Sequence, residues 1–582
     1  MAHHYLVTED LPEVQGRDGE LPHCIDFEAE IYLRQEGRGL LLGTYEKDCR
    51  PWAEHTTPVD FSHELLEPDL DRISQNLEVG FAHFPPLERA GIRKIVNGPF
   101  TFAPDGNPLV GPVRGLPGFW CACAVMAGFS QGGGVGLALA NWMTEGDPGF
   151  DVFAMDVARF GDWTTPAYTN AKVRENYGRR FRIAFPNEEL EAARPLRTTP
   201  IYDELRARNA VMGASYGLEH ALWFAPDGEE PVEEVTFRRS NAHPVVADEC
   251  RAVREAVGLL EISNFAKYEV RGPGAEAWLS WILAGRIPAE GRVALSPMLN
   301  HAGRLIGDFT VARAGPERFF VFGSGVAEAY HLRWFEAHLP DQNVVLGSRS
   351  NELLGCSIAG PHSRDLLARL VEDDVSNHAF PFLAFRRMAV GRSPALVGRI
   401  SFTGDLGYEI WVRPDWLRTL FLELEQAGQD LGLRPFGARA LNALRLEKSF
   451  GSWAREYRPI YGPYEAGLGR FIDRDRSDFI GRAAALRERE EGPDRRLVTL
   501  VIDDAGADCV GDEPVWHKGE VVGWITSGGY AHHVGRSIGL GYVPNRLAGA
   551  EAGVEVEILG ERRPATIVRQ PLFDPSGSRM RG

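Results

Sequence analysis

Between positions 116 and 144 the sequence carries no charged residue. A run of that length either crosses a membrane or lies deep within a soluble fold, and the residues inside it decide which. Six glycines fall between Gly118 and Gly136, with Ser130, Gln131 and Asn141 as polar interruptions, whereas a spanning helix is more uniformly apolar. The pattern predicts a buried strand over 119–126, a glycine turn over 128–134 and a helix over 135–143. The opening Met-Ala-His-His-Tyr-Leu-Val-Thr has neither the basic region nor the apolar core of a cleavable signal. No membrane partner is expected.

The 582 residues suffice for about four folding units, large enough to need no metal or disulfide staple. Sixty-three basic against 81 acidic residues give a net charge of −18, which argues against a nucleic-acid partner and an anionic membrane. A few arginines can still hold a small anion locally. The seven cysteines are scattered and odd in number, the usage of a reduced, cytoplasmic chain. Cys121 and Cys123 would face the same side of a strand with no second pair to complete a zinc site. They read as small buried apolar residues, and no metal site is expected.

Residues 1–155 alternate short apolar runs with turn signals such as Pro104-Asp105-Gly106-Asn107-Pro108. Residues 156–212 are polar and aromatic and read as a bridging segment. A mixed unit follows over 213–490, with amphipathic helices predicted at 274–284 and 415–427, the second capped by Asp415. The charged stretch 487–496 reads as a linker. Within 491–582, short runs at 497–502, 521–526, 537–543, 554–559 and 565–568 have the cadence of a small β-barrel. The fold class is α+β and multidomain, without internal repeats.

Four segments carry side chains suited to chemistry. Residues 128–136 place glycines between a strand and a helix, where free N–H groups can meet an electron-rich ligand edge. Gly132, Gly136 and Ala140 would equally serve as a smooth packing face, and the spacing is not that of a dinucleotide fingerprint. In the strand 304–311, Asp308 shares a face with Ile306 and Thr310. If buried, it must be hydrogen-bonded or carry a raised pKa, and either state suits proton exchange with an amine; an exposed strand face is as compatible. Residues 399–412 form a hairpin signal around Thr403-Gly404-Asp405-Leu406-Gly407. If Tyr408, Ile410 and Val412 pack inward, Glu409 and Trp411 share the other face, where a carboxylate beside an indole can grip a planar heterocycle. A cross-strand ion pair between Glu409 and Arg399 is the plainer alternative. The helix 437–448 sets Arg445 between leucines, where it needs a partner. Arg439 and Asn442 share a face, and an arginine fork suits a carboxylate.

As an ordered set these segments carry a resemblance. From 213 to about 575 the chain resembles the folate-binding aminomethyltransferase module, the glycine-cleavage T-protein fold. The matching stretches are Gly258-Leu259-Leu260-Glu261-Ile262-Ser263-Asn264-Phe265, the Asp308 strand, residues 399–409, the Arg439 helix through Glu447, and Pro463-Tyr464-Glu465-Ala466-Gly467-Leu468. The first part resembles the C-terminal portion of a glycine-oxidase-type flavoprotein, on Tyr32-Leu33-Arg34-Gln35-Glu36, Val96-Asn97-Gly98-Pro99, the 104–108 turn and the glycine segment. This fusion resembles the dimethylglycine and sarcosine dehydrogenases.

The resemblance implies that FAD oxidises an N-methyl amine to an iminium and that tetrahydrofolate captures the one-carbon unit as 5,10-methylenetetrahydrofolate. It implies that Glu409 holds the pterin, Arg439 contacts the folate, and Asp308 assists proton transfer at the folate amine. Phe402 would line the folate pocket where many members carry Tyr. Met126, Ala127, Gly128, Phe129, Ser130 and Gln131 would lie at the flavin ring, and His3 and Tyr32 near the amine. Ile31 precedes Tyr32 where a second Tyr is common. The implied partners are the amine, folate, and an electron-transfer flavoprotein or a complementary flavoprotein chain. The family's nucleotide-binding βαβ unit and flavin-linked histidine are absent from this sequence, so FAD is expected only where that unit is supplied. Two further readings are a flavin-independent tetrahydrofolate aminomethyl or one-carbon transferase and a non-catalytic folate-binding scaffold.

Overall fold

The computed structural model describes residues 1–503, 506–549 and 553–582, and the chain separates into two compact units, Met1–Leu196 and Arg197–Gly582. The division falls inside the stretch 156–212. That stretch includes the helix Pro166–Gly178, which Thr165 caps and Pro166 opens.

In the first unit five antiparallel strands run in the order Cys24–Asp26, Ile31–Glu36, Gly39–Thr44, Ala2–Thr8, Ile92–Pro99. Leu6, Ile31, Leu33 and Leu42 form one apolar face, and Ile73 and Leu77 of the helix Leu70–His83 pack into the same core. The uncharged run differs from its sequence expectation. Its strand is only Trp120–Cys123, paired with Leu109–Pro112 in a two-stranded ribbon. Instead of being buried, Ala122 and Cys123 are exposed and Cys121 is half-buried. A two-stranded ribbon has little to bury its faces against. In place of a glycine turn, one helix spans Gly128–Glu145. Gly128, Gly132, Gly133 and Gly134 are all helical within it, and none has positive φ. Glycine licenses a turn only where φ must be positive; here it extends a helix at a propensity cost of about 1 kcal/mol per residue. Among the described residues no helix is long and apolar enough to cross a membrane.

The second unit contains two larger sheets and a barrel. The six-stranded sheet runs Phe385–Val390, Ser393–Gly398, Gly407–Val412, Leu354–Ala359, Val257–Glu261, Leu433–Pro435. The five-stranded sheet runs Val293–Leu299, Leu305–Gly315, Arg318–Gly323, Ala266–Arg271, Val345–Ser348. The closed barrel comprises Arg495–Ile502, Arg536–Pro544, Glu520–Ala531, Pro514–His517, Val554–Ile558 and Glu561–Val568. Pro514–His517 is the barrel strand that the sequence reading lacks.

The predicted helices are found as Ala275–Ile282 and Pro414–Gly428. Asp415 is not the cap of the second: Arg413 is, because Pro414 occupies the first helical position and leaves Asp415 in the first turn. Residues 487–496 are not a linker either. They complete the helix Arg482–Glu491 and begin the strand at Arg495. Charged side chains project from both elements into solvent and so mimic a linker's composition. The 399–412 hairpin has an eight-residue connection, since pairing stops at Gly398 and resumes at Gly407.

Candidate functional site

Glu409 lies on the strand Gly407–Val412, opposite Ser357 on one side and Gly398 on the other. Strand alternation sends Tyr408, Ile410 and Val412 into the core shared with Leu417, Leu420, Phe421 and Leu424 of the following helix. Glu409 and Trp411 point the other way. There Trp411 stacks on Phe322 of the five-stranded sheet, with ring centroids 4.3 Å apart, so the two sheets meet face to face. Phe322 pairs directly with Thr310 and with Lys267, and residues opposite one another share a face. Asp308, two residues before Thr310, belongs to that face as well. Period-2 geometry thus delivers Glu409, Lys267 and Asp308 to one layer between the sheets.

That layer is electrostatically unusual. Lys267 is fully buried and donates from Nζ to the Ser263 carbonyl at 2.7 Å. Burial lowers its ammonium to about 7 against the opposing pull of Glu328, Glu261 and Glu409. Burial pushes Glu409 up to about 8, with Lys267 resisting, and Glu261 up to about 7. Asp308 rises to about 8, again by burial first, with the Glu456 carboxylate adding to it. Glu409 and Asp308 both keep some accessible surface, so protein surrounds each without sealing it.

Glu456 connects Asp308 to the helix Ala438–Glu447. Its Oε2 accepts from Arg445 Nη1 at 3.0 Å, and Arg445 Nη2 also donates to Asn442 Oδ1 at 2.9 Å and to Ser527 Oγ at 2.8 Å. Arg445 is therefore buried with partners, as its leucine neighbours imply. The helix begins at Gly437, where a Cβ would sit 2.1 Å from the Leu222 carbonyl oxygen. Buried Glu249 accepts from the Gly437 and Phe224 amides. Arg439 is half-buried and ion-paired with Glu233 at 3.3 Å. Phe402 stacks on Phe450 at 5.9 Å, joining the Glu409 hairpin loop to the segment after this helix.

Two readings around Glu409 change. Arg399 is not its ion-pair partner; the guanidinium donates to the carbonyls of Phe380 and Arg581. Trp411 is only 1% exposed, so its indole forms core between the sheets and cannot grip a ligand beside Glu409.

In the first unit, His3 Nδ1 lies 2.7 Å from the Tyr177 hydroxyl and Nε2 3.1 Å from the Tyr32 hydroxyl. Tyr45 and Phe100 pack against the imidazole at 5.1 and 4.9 Å. Burial holds the imidazole neutral, down at about 3. Beyond Tyr177, Glu46 accepts its hydroxyl proton at 3.2 Å and pairs with Arg72 at 3.1 Å. Met126 and Ala127 are half-buried, Gly128, Phe129 and Ser130 are exposed, and Ala127 caps the helix without a side-chain hydrogen bond.

Domain models match in the same order. The FAD dependent oxidoreductase model matches residues 1–142 and its central domain residues 145–199. The GCVT N-terminal domain matches 201–476, and the glycine cleavage T-protein C-terminal barrel domain matches 495–574. Mitochondrial dimethylglycine dehydrogenase of Mus musculus is 38% identical over 589 residues, covering 99% of this chain and 68% of that protein. This chain belongs to the dimethylglycine/sarcosine dehydrogenase family. Mitochondrial sarcosine dehydrogenase of Homo sapiens is 30% identical, covering 100% of this chain and 68% of its own. The 4-methylaminobutanoate oxidase (formaldehyde-forming) of Paenarthrobacter nicotinovorans is 33% identical, covering 98% and 69%. Aminomethyltransferase T of the glycine cleavage system from Bartonella henselae superposes with a TM-score of 0.57 at 21% identity, covering 65% of this chain and 98% of that one. In this dimethylglycine/sarcosine dehydrogenase family member, a flavoprotein-type part thus precedes a T-protein fold.

Sequence reasoning assigned no role to Lys267, Glu261, Glu456, Tyr45 or Tyr177. In Ala266-Lys267-Tyr268-Glu269-Val270 the alternation makes Lys267 look solvent-facing; only the second sheet buries it. Tyr177 lies 174 positions from His3, beyond the reach of any local pattern.

Proposed function

We propose that this chain carries out folate-linked oxidative demethylation of N-methylglycines, the one-carbon unit being captured by tetrahydrofolate as 5,10-methylenetetrahydrofolate. The observation that carries the proposal is that strand alternation turns Glu409 and Asp308 into one inter-sheet layer, where burial raises each to about 8. Glu409 accepts hydrogen bonds from the N–H edge of the pterin; these favour its charged form, so binding pulls its proton off. Asp308 holds a proton at neutral pH and lies close enough to 7 to give or take one at the folate amine. Arg439 supplies a guanidinium to the carboxylate end of folate, and Phe402 with Phe450 offers an aromatic wall.

The first unit suits the oxidative half. Gln131 Oε1 is buried without a hydrogen-bond partner among the described residues, and the N-terminal amides of its helix have no side-chain cap. Both features fit a flavin edge at residues 126–131. FAD, when bound there, supplies hydride acceptance from the amine's methyl carbon. Neutral His3 with Tyr32, Tyr45 and Phe100 gives an uncharged aromatic surface against which the amine can lie.

The test is formation of 5,10-methylenetetrahydrofolate from dimethylglycine or sarcosine in the flavin-loaded protein, followed by folate binding. Loss of product in Asp308→Asn and loss of folate affinity in Glu409→Ala support the assignment. Unchanged values in both variants overturn it.

A further inference from the structure

Beyond Glu409, the same strand leads into a second recess. Trp411, Val412 and Arg413 line a cavity of about 410 Å³ at the rim of the two facing sheets. Five arginines reach it: Arg271, Arg318, Arg349, Arg387 and Arg413. Among the described residues two carboxylates line it with them, Glu269 and Glu352, and Asp415 pairs with Arg413 at 2.6 Å, so the arginines still outnumber the carboxylates in a chain whose overall charge is −18.

The arrangement is anchored from beneath. Glu269, 3% exposed, accepts from Arg318 Nε at 2.7 Å and Arg349 Nε at 2.9 Å, with Arg271 Nε at 3.6 Å. One buried carboxylate therefore orients three guanidiniums through their Nε atoms. The terminal nitrogens of Arg318 and Arg271 have no hydrogen-bond partner among the described residues. Arg387, across the recess on the strand Phe385–Val390, has neither an ion-pair nor a side-chain hydrogen-bond partner among them. Phe320 and Trp411 form a buried aromatic floor and Trp416 a half-buried wall. Positive charges gathered in a partly enclosed recess repel one another, and a bound anion relieves that repulsion. Guanidinium forks match carboxylate and phosphate oxygens in pairs.

We propose that this recess binds a multiply charged small anion through its carboxylate or phosphoryl groups. It lies at the rim of the same inter-sheet layer, but its lining includes none of Glu409, Lys267 and Asp308, and nothing in the proposal depends on folate. Calorimetric titration of the full chain at low salt with two probes, citrate and pyrophosphate, tests it. Saturable one-to-one binding of at least one probe is expected. Raising the salt should weaken that binding at least fivefold, and Arg387→Ala or Arg271→Ala should weaken it at least tenfold with the unfolding temperature unchanged. Both side chains are exposed, so neither change threatens the fold. Binding of citrate alone assigns a polycarboxylate site, of pyrophosphate alone a phosphoryl site, and of both a site that reads charge. Absence of saturable binding for both probes, or binding that both variants leave unaltered, overturns the proposal.

Discussion

Replacing Asp308 with Asn should stabilise the protein while abolishing transfer to folate. Burial raises this carboxyl from its ordinary 3.8 to about 8. At pH 7 the unfolded chain ionises Asp308 and the folded chain does not. This difference of about three pH units costs about 4 kcal/mol of stability; at pH 5 the cost falls to about 2 kcal/mol. The stability present below the unfolded value is therefore lost progressively up to about pH 8, where it levels off. Asn keeps the size and cannot ionise, so it removes this pH-dependent component. For a unit as long as Arg197–Gly582, each kcal/mol moves the midpoint on the order of 1 °C. Asp308→Asn should then gain about 2 °C at pH 5 and about 4 °C at pH 7, followed by calorimetric scans of both proteins across pH 5–8. A gain that does not grow with pH, or a variant that loses ground as pH rises, would refute the assignment of Asp308 as a buried, protonated carboxyl.

Three other outcomes follow from the same layer and its supports. Glu409→Ala should weaken tetrahydrofolate binding at least tenfold, measured by fluorescence titration. Lys267→Met removes a cation that opposes the burial of Glu409, so the pH at which folate affinity reaches half its maximum should move upward. Arg254 is fully buried between Asp405 at 2.8 Å and Glu447 at 2.7 Å; Arg254→Ala strips buried Glu447 of that guanidinium while Asp405 keeps Arg579 at 2.7 Å, and should cost about 3 kcal/mol in denaturant unfolding.

What the sequence made legible follows from periodicity. Tyr408, Ile410 and Val412 alternate with Glu409, so a strand there puts the carboxylate on the opposite face whatever its neighbours are. The same holds for Asp308 among Leu305, Gly307 and Phe309. Illegible was anything created when one sheet meets another. Lys267 reads as solvent-facing until Glu409's sheet covers it, and Trp411 reads as a ligand platform until Phe322 stacks on it. His3 likewise carries no local sign that Tyr177 will hold its Nδ1. The glycine segment misled for a different reason: residues 132–134 lack side chains, and sequence alone does not tell a glycine needed for positive φ from one that leaves a helix face bare. Asp415 shows the finer limit, since Pro414 moved the cap back to Arg413.

The most direct test of a pterin held at Glu409 is proton release on binding. Tetrahydrofolate should be titrated calorimetrically into wild type and Glu409→Gln at pH 7.5, in two buffers of different ionisation enthalpy. Glu409 is more than half protonated there when free, because burial sets it near 8, and ionised when it grips the pterin. Wild type should release well over half a proton per ligand, and Glu409→Gln should release almost none while binding at least tenfold more weakly. Equal proton release, or equal affinity, in the two proteins would contradict the site.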